Sequence, residues 1–136
     1  MEETKPIRVV NAKLGLESHE RGIILVSQWM RDAGMEVIYL GPNNMVDDVI
    51  KTAVEEDADV IGLSFLGDTY EYFLSEMVKA MKNNGLNDVL LIIGGTIPPT
   101  EFQKLRDMGV SKIFPPGSTK EEICNHIMEN VRKKRG

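Results

Sequence analysis

Short, β-branched apolar runs alternate along the chain with longer stretches in which apolar residues recur every three or four positions. Four runs, 7–12, 36–40, 60–64 and 89–93, each end at a small or turn-forming residue and predict buried strands. A fifth, weaker run at 112–114 is stopped by Pro115 and Pro116. The periodic stretches predict helices over about 20–33, 45–56, 70–84, 99–108 and 119–134. Gly34, Gly85 and Gly109 fall just past three of these helices, where a left-handed cap costs least.

Strict alternation of strand and helix predicts an α/β fold. Right-handed crossovers place helices on both faces of a parallel sheet. With five strands the expected architecture is a flavodoxin-like (Rossmann-like) doubly wound sheet of order 2-1-3-4-5. Ligands bind such sheets beyond the carboxyl ends of the strands, near the reversal of strand order. The segments following the first, third and fourth strands are therefore the places to look for chemistry. The chain shows no internal repeat, linker or low-complexity tract, and its 136 residues predict a single domain, 1–136.

Composition narrows the function classes. A formal charge of −5 argues against a nucleic-acid-binding surface. The basic run Arg132, Lys133, Lys134 and Arg135 lies at the end of the last predicted helix, where it complements the helix dipole. The lone cysteine, Cys124, precludes an intrachain disulfide and reads as a packing residue. Residues 1–8 carry two early acids and no signal-like apolar stretch, and no later segment is long enough to span a bilayer. A cytoplasmic protein is expected.

After the first strand comes Lys13-Leu14-Gly15-Leu16-Glu17-Ser18-His19-Glu20-Arg21-Gly22. A carboxylate at Glu17 can accept a hydrogen bond from one nitrogen of His19, fix its tautomer and leave the other nitrogen for a metal, with Lys13 balancing the carboxylate. The same residues also suit a charged, capped helix entry. Zinc fits poorly, because His19, one nearby acid and a distant His126 do not supply three or four converging ligands. One protein ligand suits a metal that brings its own macrocycle. The G-x-G-x-x-G fingerprint is absent, and the second strand ends in Leu40-Gly41-Pro42 rather than a ribose-binding acid. Ser64-Phe65-Leu66-Gly67 follows the third strand and offers a hydroxyl and an apolar side chain; an ordinary strand end reads the same way. Gly94-Gly95-Thr96-Ile97-Pro98-Pro99 follows the fourth, where two glycines permit either close backbone approach to a ligand or a tight turn.

Together these segments resemble the cobalamin-binding domain of adenosylcobalamin-dependent mutases, marked by D-x-H-x-x-G, S-x-L and G-G in that order. The corresponding residues are Glu17-Ser18-His19-Glu20-Arg21-Gly22, Ser64-Phe65-Leu66 and Gly94-Gly95. Ala12-Lys13-Leu14-Gly15, Arg21-Gly22 and the stretch from Gly94 to Pro99 are similar to the acyl-CoA mutase branch, which includes methylmalonyl-CoA and 2-hydroxyisobutyryl-CoA mutases. Phe114-Pro115-Pro116-Gly117-Ser118 is similar to a variant of that branch's last loop, and the length resembles its free-standing small subunits. Glu17 replaces the family's aspartate and is one methylene, about 1.5 Å, longer.

The resemblance implies base-off binding of adenosylcobalamin, with His19 as the lower axial ligand to cobalt and the nucleotide tail in a slot beside the sheet. It also implies that Ser64 hydrogen-bonds the benzimidazole, that Leu66 packs near it, and that Gly94 and Gly95 let the tail pass. Lys13, Glu17, Ser18, Arg21, Gly22, Thr96, Phe114, Gly117 and Ser118 complete the implied contact set. The implied activity is radical isomerisation of a CoA thioester, performed only with a large subunit that carries the substrate-binding barrel. A corrinoid carrier for methyl transfer and a non-catalytic cobalamin sensor would use the same domain. A response-regulator receiver would need acids where this chain has Asn11, Ala12 and Ser64.

Overall fold

A computed structural model describes residues 5–15, 20–65 and 70–135. The expected calls on Glu17, Ser18, His19 and Leu66 lie outside the described residues. Five strands, β1 (Arg8–Lys13), β2 (Glu36–Tyr39), β3 (Val60–Phe65), β4 (Leu90–Gly95) and β5 (Lys112–Phe114), form one parallel sheet in the order β2-β1-β3-β4-β5. They alternate with α1 (Arg21–Asp32), α2 (Val46–Glu55), α3 (Tyr70–Asn83), α4 (Phe102–Met108) and α5 (Lys120–Arg135). The expected order and alternation are both present.

Differences from expectation cluster at the carboxyl ends of the strands. Gly94 and Gly95, expected to follow the fourth strand, are its last two residues and pair with Ser64 and Phe65. Lys13, expected in a loop, closes β1 and pairs with Ser64. The physical reason is that strand pairing runs through backbone groups, so a glycine or lysine continues a ladder after the apolar pattern has stopped. The fourth helical stretch is split as well. Its first turn, Pro99–Glu101, is a 3-10 turn closed by Glu101 N–H donating to the Pro98 carbonyl at 2.9 Å, and α4 follows.

Register then decides which side chains share a face. Side chains alternate along each strand, and paired residues of parallel strands point the same way. Val10, Ala12, Ile61, Leu63, Leu91, Ile93 and Ile113 form a core with α2, α3 and α4. Val9, Val60, Leu90 and Ile92 face Met30 of α1 and Ile123, Ile127 and Val131 of α5. Ile127 is fully buried there, a contribution of roughly 2 kcal/mol. No helix among the described residues is long and apolar enough to cross a membrane.

Candidate functional site

The sheet face under α1 and α5 changes character halfway along its strands. Toward the amino ends it is filled by Val9, Val60 and Leu90, whereas toward the carboxyl ends the same face carries Gly62, Ser64 and Gly94. The missing side-chain volume leaves a slot of about 280 Å³. Ile23, Val26 and Trp29 of α1 form one wall, Ile123 of α5 lies opposite, and the segment Phe114–Ser118 closes one side. Gly22, in the first turn of α1, lies on the rim, as does Leu25, an apolar side chain that is 48% exposed.

Gly94 is the residue whose lack of a side chain keeps the slot open. A Cβ built there meets only the Phe114 carbonyl oxygen at 3.6 Å, an ordinary contact. Gly95 has a different origin, because its φ of 142° disfavours L side chains and a Cβ would collide with the carbonyl oxygen of Phe65. The strand end itself requires that glycine.

The wall after β5 is locally self-supporting. Gly117, at φ 91°, follows Pro116, and Ser118 donates to the Pro115 carbonyl from its amide at 3.1 Å and its hydroxyl at 2.6 Å. This is a type II turn with proline and glycine at the two central positions. A capping box begins α5 at once: Glu122 N–H donates to Thr119 Oγ1 at 3.1 Å, and Thr119 N–H donates to Glu122 Oε1 at 2.8 Å. The backbone and hydroxyl hydrogen bonds from Thr119 hold the Glu122 carboxyl below its ordinary value.

Lys13 is 2% exposed, and its Nζ donates to Ser64 Oγ at 3.1 Å and to the Ser64 carbonyl at 3.5 Å. An ammonium has hydrogens to give and no lone pair to receive one. Ser64 therefore accepts from Lys13 and keeps its own hydrogen for an acceptor in the slot. Deeper in, Asn11 is 1% exposed; its Nδ2 donates to Ser27 Oγ at 2.9 Å and approaches Met30 Sδ at 3.5 Å. His126, the second histidine of the chain, is bound elsewhere. Its Nε2 pairs with Ser111 Oγ at 2.8 Å, its ring meets Phe114 edge-on, and burial together with nearby Lys112 pushes its pKa down.

Of the residues expected at the site, Gly22, Ser64, Gly94, Gly95, Phe114, Gly117 and Ser118 line the slot, and Lys13 bonds to Ser64. Arg21 and Thr96 are exposed and do not line it. Sequence reasoning passed over Asn11, Gly62 and Trp29, which do. The available signals were a polar residue inside the Val9-Val10-Asn11-Ala12 run and a glycine inside Val60-Ile61-Gly62-Leu63, each a position where an apolar side chain would be the default. Among the described residues, no cluster of three or more His, Cys, Asp or Glu could hold a metal ion.

Comparison with known proteins gives this geometry a family. Residues 7–124 match the B12 binding domain. The chain is 42% identical to the pivalyl-CoA mutase small subunit of Xanthobacter autotrophicus, over 97% of its own length and 88% of that protein. It is 35% identical to the 2-hydroxyisobutanoyl-CoA mutase small subunit of Aquincola tertiaricarbonis, over 96% of both. Methylmalonyl-CoA mutase of Escherichia coli aligns at 32% identity with 91% of this chain, which spans only 17% of that protein. In fold, the chain superposes on a cobalamin-binding protein from Desulfitobacterium hafniense with a TM-score of 0.77 at 24% identity, covering 90% of this chain and 60% of the other. The chain belongs to the B12-binding domain family, in the branch of the acyl-CoA mutase small subunits.

Proposed function

We propose that this chain is the cobalamin-carrying subunit of an acyl-CoA mutase, an isomerase acting on a CoA thioester. It binds adenosylcobalamin base-off, with the nucleotide tail in the slot and His19 as the lower axial ligand of cobalt. The observation that carries this reading is the slot itself. A volume of about 280 Å³ sits at the lower end of small-molecule pockets. It admits a bicyclic base and leaves a corrin-sized ring outside, over the carboxyl ends of the strands.

The residues present fit such a tail. Ser64 has a hydroxyl hydrogen to offer a ring nitrogen, Trp29 and Phe114 supply aromatic walls, and Gly94 leaves the sheet bare where a flat ring would lie. Glu17 would fix the His19 tautomer. The bound cofactor supplies the radical rearrangement, and this chain supplies placement and axial ligation. It contains no catalytic residue of its own in this reading. The acyl-CoA and the substrate-binding barrel belong to a separate large subunit, consistent with the "small subunit" names of its relatives.

Titrating the purified chain with adenosylcobalamin tests the reading. The optical spectrum is expected to shift from the base-on to the base-off form, with no turnover until a large mutase subunit is added. A spectrum that stays base-on at saturation would contradict it.

A further inference from the structure

At the floor of the slot sits a polar group that its neighbours satisfy at one end only. Asn11 occupies a central strand position that is 1% exposed, yet it lines the cavity. Its carboxamide orientation is fixed by its neighbours. Met30 Sδ, 3.5 Å away, can only accept, so the amino end must be the one turned toward Met30 and Ser27. The carbonyl oxygen, Oδ1, is therefore turned the other way, across Gly62. A Cβ on Gly62 would run into that oxygen, so the glycine is what makes room for it. Among the described residues Oδ1 receives no hydrogen bond, although the amino end of the same amide is bonded. A buried acceptor without a donor is destabilising, and a leucine of nearly the same shape would avoid that cost.

We propose that Asn11 is a specificity residue for the lower base of the corrinoid, accepting a hydrogen bond from a donor carried by the inserted ring. This rests on the cobalamin reading above and extends it. Ser64 at the mouth donates and Asn11 at the floor accepts, so the fully matched ligand presents an acceptor nitrogen near the mouth and an N–H or O–H donor at its deep edge. Dimethylbenzimidazole offers the first and only methyl groups for the second. Bases with an exocyclic amine or hydroxyl, of the adenine or hydroxybenzimidazole class, offer both.

Trp29 lines the same slot and is the only tryptophan in the chain, so its fluorescence reports filling of the slot without any turnover. Three corrinoids are titrated into the wild type and Asn11→Leu: cobalamin, its hydroxybenzimidazole counterpart, and cobinamide, which has no base. The wild type is expected to bind the hydroxybenzimidazole form roughly tenfold more tightly than cobalamin, as one matched buried hydrogen bond implies. Asn11→Leu is expected to reverse that order while leaving cobinamide unchanged. Equal preference in the two proteins, or a change in Asn11→Leu that is the same for all three corrinoids, would overturn the proposal and leave the cobalamin reading intact. Binding of none of them by the wild type would overturn both. Should Asn11→Leu fail to fold, Asn11→Asp replaces it; its carboxylate keeps the acceptor, and loss of the preference for the hydroxylated base there would also overturn the proposal.

Discussion

Gly94 and Gly95 are neighbours with unrelated tasks. Gly95 is demanded by its backbone, whereas Gly94 sits in a conformation open to any residue and leaves space that only a ligand would use. Gly94→Leu should therefore leave the sheet intact and fill the slot from within. The expected outcome is a melting temperature within a few degrees of wild type and corrinoid affinity reduced more than tenfold, read by thermal melting and by Trp29 fluorescence. Retained affinity would place the tail elsewhere. From the sequence, the pair could be seen but its division of labour could not, because that depends on which sheet face each residue takes. The same gap hid Asn11. Its polarity was visible inside an apolar run, but only the register with Gly62 places its side chain on the slot face.

Among the elements, α5 and the turn before it hold the slot's outer wall. The type II turn, the Thr119–Glu122 box and the Ser111–His126 bond all tie β5 to α5 within a short stretch of chain. Much of this was legible, since Pro115, Pro116 and Gly117 announce a turn and Thr119 with Glu122 announces a helix start. The His126 contact was not, because it joins a residue before β5 to the middle of a helix. Burial first, and then Lys112, holds the His126 pKa below the ordinary 6.5, with Glu129 pulling weakly the other way and Lys133 adding to the depression. A depressed folded pKa means that the neutral ring is the stabilised form. Its contribution is complete above pH 6.5 and is lost as pH falls through the lower folded value. Stability by urea unfolding should therefore fall more steeply between neutral and mildly acidic pH in the wild type than in His126→Gln. The two proteins differ only at position 126, so the difference between their curves belongs to His126. Parallel curves would remove His126 from the pH response.

At the scale of the whole molecule, the alternation of strand and helix was enough to predict the sheet order, and the sheet order predicted the edge where chemistry belongs. Fold alone does not choose a function, since one sheet architecture hosts many unrelated sites. The choice comes from the slot and from kinship with the mutase small subunits. In the proposed reading this chain holds the cobalt and a separate subunit holds the substrate, so the central claim concerns a single bond, from His19 to cobalt. The most direct test is electron paramagnetic resonance of the chain loaded with cob(II)alamin after production with nitrogen-15 histidine. Coordination by His19 predicts two-line nitrogen splitting, retained in His126→Gln and lost in His19→Ala. Three-line splitting unaffected by the label would mean that the cofactor's own benzimidazole still holds the metal, and would contradict the claim.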